Sequence, residues 1–216
     1  PGNVIELLLS PRLSSGGLII IAGETGQGKS TTAASCIASR LKNFGSFCLT
    51  IEDPIEMPLQ GYYENPKDSN KKGVCFQTNC EGEEIFEAIK NSLRCYPSVS
   101  NSMLFLGETR DAMMASEVLK IATNGHLVVT TLHGSDLTNS LKRFIQLASS
   151  YKNANEADVK SIFSSVFRLL IHQKLDLLPN GKRRIRPQVL FSPSSTSTIA
   201  SRLRSGQIEL LSTDIQ

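Results

Sequence analysis

Short apolar runs punctuate the chain at Gly17 to Ala22, Phe47 to Ile51, Val74 to Gln77, Met103 to Leu106 and Leu127 to Leu132, each about the length of a β-strand. Between them apolar residues recur three and four positions apart, which predicts helices over Ser30 to Asn43, Gly82 to Cys95, Ala112 to Asn124 and Leu137 to Ser149. Strands alternating with helices in this way predict an α/β fold, a mostly parallel sheet wrapped by helices. From Asn155 to Leu175 the helical period returns through Val159, Ile162, Phe163, Val166, Phe167, Leu170 and Ile171, which predicts a packed helix. That helix would belong to a smaller C-terminal unit over 151–216, after a larger unit over 1–150. The stretch from Gln60 to Gly73, rich in Gly, Asn, Lys and Pro, reads as a surface excursion, and Leu190 to Gln216 as short helix or loop.

At 216 residues the chain makes one large domain, or one domain with a small appendage. A 40% hydrophobic and 20% charged composition excludes a disordered protein. The apolar runs stop far short of the roughly 20 residues that a membrane-spanning helix needs, and the opening PGNVIELLLSPR shows no secretory signal pattern. Cys36, Cys48, Cys75, Cys80 and Cys95 form no CxxC pair and fit reduced thiols in a cytosolic protein. Cys75 and Cys80 leave open a disulfide or a metal, although their spacing matches no usual zinc pattern. The net charge of +3 does not itself call for nucleic acid. Glu81, Glu83, Glu84 and Glu87 read as the acidic, dipole-stabilised start of a helix. Lys182, Arg183, Arg184 and Arg186 follow the turn Pro179-Asn-Gly181 and read as a hairpin tip or loop, either solvated or facing an anionic partner.

Between the first strand and the first long helix stands GETGQGKS, Gly23 to Ser30, a phosphate-binding P-loop in its strand–loop–helix context. Gly23, Gly26 and Gly28 let the backbone turn its N–H groups inward toward a triphosphate at the positive end of the helix. The expected nucleotide contacts are Gly23, Glu24, Thr25, Gly26, Gln27, Gly28, Lys29, Ser30 and Thr31, with Lys29 on the β- and γ-phosphates and the Ser30 hydroxyl on Mg²⁺.

Other chemistry sits at the C-terminal ends of strands, where open parallel sheets bind ligands. TIEDPIE places Glu52, Asp53 and Glu56 at one such end, and carboxylates there suit a hydrated Mg²⁺ held partly through its waters. MLFLGETRD delivers Glu108 where it can polarise an attacking water; the position where most P-loop proteins carry Asp is Gly107, so Asp53 is expected to support the metal. NGHLVVTTLHGSD carries His126 and His133, seven residues apart and so on opposite faces of a strand, which prevents them from sharing a metal. His133, at the strand's end, is placed to sense the γ-phosphate, with His126 and Thr131 as supporting sensors. His172 reads as an ordinary hydrogen-bonded histidine of the later helix.

These four segments, in this order, resemble the motif set of the PilT-like secretion and pilus-motor ATPases: GETGQGKS as Walker A, IEDPIE as the aspartate box, LFLGETRD as an atypical Walker B and GHLVVTTLH as the histidine box. The resemblance covers about Gly17 to Gln173. It implies a RecA-like P-loop fold, homohexameric rings, and ATP hydrolysis with Mg²⁺ that drives pilus dynamics, secretion or conjugative transfer. It also implies a cytoplasmic protein, peripheral at the inner membrane, working with pilus or secretion platform proteins. By position Lys29, Ser30, Asp53, Glu108 and His133 carry over as functional residues, with Glu52, Glu56, Arg94, Arg110 and His126 in support, the two arginines as candidates to neutralise γ-phosphate charge. Thr109 and Gly134 depart from residues commonly Met and Thr in retraction motors. The lack of a four-cysteine insert disfavours the pilus-assembly branch, and EDPIEMPLQGYY resembles the conjugative thin-pilus or type IV secretion branch. Such motors carry a separate N-terminal domain, whereas here the P-loop begins close to the start, so a fragment or minimal version is expected.

The competing reading is a RecA-like nucleic-acid translocase or helicase with KRRIR on the strand's path. An aromatic content of 6% with no Trp leaves little to stack on bases, so nucleic acid is not the expected partner. A regulatory module without turnover is disfavoured by Glu108.

Overall fold

β1 (Gly17–Gly23) is buried at every position. Its side chains alternate between two cores, with Leu18, Ile20 and Ala22 facing one and Ile19 and Ile21 the other. A strand buried on both faces has no use for polar alternation, which is why its sequence is a continuous apolar run. The computed structural model describes residues 2–82, 84–96 and 102–216. Around β1 runs an eight-stranded sheet in the order β3-β4-β2-β5-β6-β1-β7-β8. Its other strands are β2 (Ser46–Glu52), β3 (Gly61–Asn65), β4 (Asp68–Asn79), β5 (Ser102–Leu106), β6 (Leu127–His133), β7 (Phe167–Leu177) and β8 (Arg183–Phe191). The inner pairings are all parallel, and each edge strand, β3 and β8, lies antiparallel to its neighbour.

Helices cover both faces, as the alternation of strands and helices predicts. α1 (Gly2–Leu8) and α2 (Lys29–Phe44) build one core with the outward side of β1, through Leu8, Ala33, Ile37 and Leu41. α3 (Glu84–Cys95), α4 (Ala112–Thr123), α5 (Leu137–Ser150), α6 (Glu156–Val166) and α7 (Thr198–Arg204) build the other, through Ile89, Val118, Phe144, Phe163 and Leu203. Arg40 of α2 is only 2% exposed. It donates to the carbonyls of Leu8 (2.9 Å) and Ser10 (3.2 Å) and to Ser14 Oγ (3.2 Å), and so fastens the N-terminal segment to the body.

Two expectations change. The segment Gln60 to Gly73 is no free excursion: β3 and the first half of β4 form a hairpin on the sheet edge. Its side chains are largely exposed, so an edge hairpin carries polar residues that resemble a loop in sequence. The helix expected to continue to Leu175 ends at Val166, and Phe167 onward is β7, paired in parallel with β1. Phe167, Leu169, Leu170 and Ile171 are buried, and an apolar run buried on both faces has no period to separate strand from helix. Residues beyond 150 thus contribute two strands to the same sheet as well as helices. The basic cluster sits on the β7–β8 hairpin as expected, and the tail forms α7 and a 3-10 helix over Ile208–Asp214.

Glu83, part of the expected acidic helix start, lies outside the described residues; Glu84 and Glu87 occupy the first turn of α3. The cysteines are free thiols, Cys95 exposed and the others buried, so Cys75 and Cys80 form no disulfide. Among the described residues no cluster of His, Cys, Asp or Glu could by itself cage a metal, and no helix is long and apolar enough to cross a membrane.

Candidate functional site

The loop after β1 turns through Gly26 and Gly28, both at φ 77°, a left-handed conformation that costs glycine little. Gly28 caps α2 with no side-chain hydrogen bond, so the first N–H groups of that helix are left for a ligand. They open on a cavity of about 1100 Å³. Thr25, Gly26, Gly28, Lys29, Ser30 and Thr31 form one wall. The ends of β2 and β5 supply the other, with Glu52, Asp53, Glu56, Glu108 and Arg110, and Thr131 of β6 closes the floor. Four segments far apart in sequence therefore meet at one edge of the sheet, the C-terminal ends of adjacent parallel strands.

Lys29 Nζ donates to the Glu24 carbonyl at 2.9 Å within its own loop. Burial lowers its pKa, and the carboxylates of Glu108 and Glu56 partly restore it. Glu108 Oε2 accepts from Arg110 Nε at 2.7 Å. The same guanidinium donates to the Asp53 carbonyl at 3.2 Å and lies 3.6 Å from its carboxylate. The hydrogen bond to Glu108 raises the pKa of Arg110 further. Arg110 therefore ties together the two acids read from sequence as catalytic and metal-supporting. Asp111, the next residue, accepts from Met114 N at 2.8 Å and so caps α4.

Glu52 is 5% exposed and accepts from Gln77 Nε2 at 2.9 Å, which compensates for burying its charge. Thr131 Oγ1 donates to the Gly107 carbonyl at 2.6 Å and so joins the ends of β6 and β5 beneath the cavity. Thr109 is buried against Thr130, hydroxyl to hydroxyl at 2.8 Å. Mg²⁺ fits this donor set. Ser30 lines the cavity opposite Glu52 and Asp53, and its hydroxyl has no hydrogen-bond partner among the described residues. A hydroxyl with one or two carboxylates is what a cation that keeps its waters and takes its other oxygens from phosphates requires.

Not every expected residue gathers here. His133 ends β6 beside Gly23, exposed at the lip rather than on the cavity wall. His126 lies just before the other end of β6, seven residues or about 23 Å away at strand rise. There its ring stacks on Tyr96 with centroids 4.4 Å apart, its Nδ1 hydrogen-bonds the Ser102 hydroxyl, and burial lowers its pKa. Its surroundings are those of a packing residue, so the supporting sensor role has no contact to act through. Arg94 stands exposed in the last turn of α3, nine residues or about 14 Å along the helix from Ile85 at the cavity wall. Glu24 and Gln27 belong to the loop without facing the cavity, and Gln27 turns the other way, toward β7.

Sequence reasoning missed what Gln27 meets. Gln173, 1% exposed on β7, donates through Nε2 to the Gln27 carbonyl at 2.5 Å and accepts from Thr32 Oγ1 at 2.9 Å. Leu175 N donates to Gln27 Oε1 at 2.6 Å. His172, read as an ordinary histidine, is buried beside it with Nε2 3.1 Å from the Gly134 carbonyl. The signal was obscured because this segment read as helix. A second, smaller groove of about 350 Å³ runs along the far side of α2, lined by Val4, Ile5, Leu8, Thr31, Ser35, Ile185 and Pro187.

Comparison with known proteins agrees with this geometry. Over 209 residues the chain is 30% identical to the type IV pilus ATPase PilU of Pseudomonas aeruginosa, covering 95% of this chain and 50% of that protein. Among solved structures, the pilus retraction motor PilT with bound ADP superposes with a TM-score of 0.76 at 26% identity, over 99% of this chain and 56% of that one. The ATPase DotB of Legionella pneumophila superposes with a TM-score of 0.72 at 25% identity, over 100% of this chain and 57% of that one. The chain thus spans about half the length of the relatives it matches. Residues 5–213 match the family described as Type II/IV secretion system protein, and the chain belongs to that family.

Proposed function

We propose that the chain is the ATP-hydrolysing core of a motor that powers pilus dynamics, secretion or conjugative transfer. The observation that carries this reading is the cavity of about 1100 Å³ itself, which brings an open helix N-terminus and Lys29 together with Glu108, Asp53 and Arg110. The β- and γ-phosphates would lie on the loop N–H groups and Lys29. Mg²⁺, held by Ser30 and through water by Asp53 and Glu52, would neutralise phosphate charge. Glu108 would reach a water approaching the γ-phosphate, and the hydrogen bond it accepts from Arg110 fixes the direction of its carboxylate. Thr31 lines both the cavity and the smaller apolar groove. That PilT was solved with ADP bound supports the choice of nucleotide.

A homohexameric ring, attachment at the inner membrane and contact with pilus or secretion platform proteins belong to the same proposal, supported by the named activities of the relatives. The test is steady-state phosphate release from ATP with Mg²⁺, beside the same measurement in EDTA and on Lys29→Ala. Turnover is expected in the first case only. Turnover in Lys29→Ala within about threefold of wild type would remove the P-loop from the mechanism.

A further inference from the structure

β7, the strand beside β1, touches both the P-loop and the loop that follows β6. Gln173 is buried yet spends its side-chain amide on the loop, donating to the Gln27 carbonyl at 2.5 Å and accepting from Thr32 of α2 at 2.9 Å. Two residues on, the Leu175 amide donates to the Gln27 side chain at 2.6 Å. Gly28 lies against the same pair, since a Cβ there would stand 3.4 Å from Gln173 Nε2 and 3.5 Å from Leu175 Cδ1. One residue before, His172 meets the Gly134 carbonyl in the loop that follows His133. β7 then runs on past the body as half of a hairpin. Its outer part carries Lys174, Asp176 and Leu177 paired with Arg186, Arg184 and Arg183 of β8. Leu177 is 74% exposed and Ile185 is 42% exposed. Asp176 balances Arg184 and Arg186 only in part, at 3.7 and 3.1 Å, and Lys174, Lys182 and Arg183 have no ion-pair partner among the described residues.

We propose that Gln173 and Gln27 couple the nucleotide site to this basic hairpin, with Gln173 as a positioning residue of the P-loop and the hairpin tip as the surface on which nucleotide occupancy is displayed. The inference rests on the ATP reading above. Phosphates that draw the loop N–H groups inward must shift the Gln27 carbonyl or tighten it in place, and that carbonyl is bonded to β7. The Leu175 amide follows through the second bond. Because coupling between sites is reciprocal, a partner that fixes the hairpin shifts nucleotide affinity by the same factor.

The test needs no partner. Hydrogen exchange of peptides covering 174–186 is measured on this chain with and without ATP and Mg²⁺, alongside titration with a fluorescent ATP analogue. In the wild type, nucleotide is expected to slow exchange across the hairpin several-fold. Gln27→Ala removes only the bond to Leu175 from a loop position outside the core. It is expected to keep affinity within about threefold. Because the bond from Gln173 to the Gln27 carbonyl remains, Gln27→Ala is expected to weaken the hairpin response, and Gln173→Leu, which removes that bond, to weaken it further. Gln173→Leu is expected to weaken the analogue about tenfold, and Gln173→Glu, which keeps only the acceptor for Thr32, to weaken it similarly. A wild-type hairpin indifferent to nucleotide, or one that responds equally in Gln27→Ala, overturns the coupling. Unchanged affinity in both Gln173 variants, with unchanged melting temperature, overturns the positioning role. Absence of any nucleotide binding by the wild type would instead overturn the underlying ATP reading.

Discussion

Replacing Glu108 with Gln separates chemistry from binding more cleanly than any other single change. Two costs must be kept apart. The first is the ion pair with Arg110, whose side chains are 30% and 56% exposed, so solvent screening holds its worth to about 1 kcal/mol or less. Gln also keeps an oxygen that can accept from Arg110 Nε, and Arg110 keeps Asp53 at 3.6 Å. The second cost is loss of the base that orients or deprotonates water, on the order of 10²-fold or more in kcat, or about 2.7 kcal/mol on the barrier at 1.36 kcal/mol per decade. The second exceeds the first by more than any relaxation of the ion pair can supply. Affinity should not fall, because the change removes a negative charge facing an anionic ligand. The expected result is thus a melting temperature within a few degrees of wild type, a nucleotide Kd within about threefold, and kcat lower by at least about 10². Phosphate release, analogue titration and thermal denaturation on the same preparation decide it. If affinity falls tenfold while kcat holds, Glu108 is a metal or binding residue and the assignment of the base is wrong.

Three further outcomes follow from the same geometry. Burial lowers the Lys29 pKa, so nucleotide affinity should hold below that lowered value and fall as pH rises through it, before the ordinary lysine range; Glu108→Gln, which removes a carboxylate that supports the charge, should move the fall to lower pH. In the free chain the contribution of Lys29 itself has the opposite sign, because between its lowered pKa and 10.5 the unfolded lysine binds more protons; the stability of the wild type relative to Lys29→Met should therefore rise with pH there, and a relative stability that falls would refute the assignment. Mixing Glu108→Gln chains with Arg94→Ala chains should restore activity if exposed Arg94 serves a neighbouring site, whereas Arg110→Ala, already bonded to Glu108 in its own chain, should give no rescue; the reverse pattern in mixed ATPase assays would exchange their roles. Arg40→Met should cost about 1–3 kcal/mol in denaturant unfolding, because it leaves the buried Leu8 carbonyl without its donor, while the Ser10 carbonyl still accepts from Leu13 N; a loss under about 0.5 kcal/mol would show the N-terminal segment held by packing alone.

Most of the cavity was legible because its chemistry needs rare residues at fixed spacing. Gly26 and Gly28 adopt φ angles that other residues resist, and Glu52, Asp53 and Glu108 follow apolar runs that end abruptly in charge. The inner strands β1, β2, β5 and β6 were found within about a residue, since each is short and bounded by turn or charged residues. β3 was missed because exposure removed its apolar face. The bond of Arg110 to Glu108 is not legible in the sequence, because sequence cannot say whether a side chain on a loop folds back two residues or forward one.

The loss of β7 has a different cause and a larger consequence. Val159, Phe163 and Val166 continue in helical register into Phe167 and Leu170, so one period bridges a real boundary, and only the C-terminal turn at Phe167, φ −60° and ψ 129°, ends the helix. Nothing in residue type marks that turn, because the residues on both sides are apolar for the same reason, burial. Reading the segment as helix places Gln173 on some helix face with no target. As the strand beside β1 it places Gln173 directly behind the P-loop, in contact with Gln27 and Thr32. A buried glutamine whose side chain bonds both the phosphate loop and the first turn of the helix after it is a constraint on that loop's shape. The grip on phosphate is therefore set from two directions: the glycines that allow the turn, visible in sequence, and the strand that holds it, visible only once β7 is in the sheet.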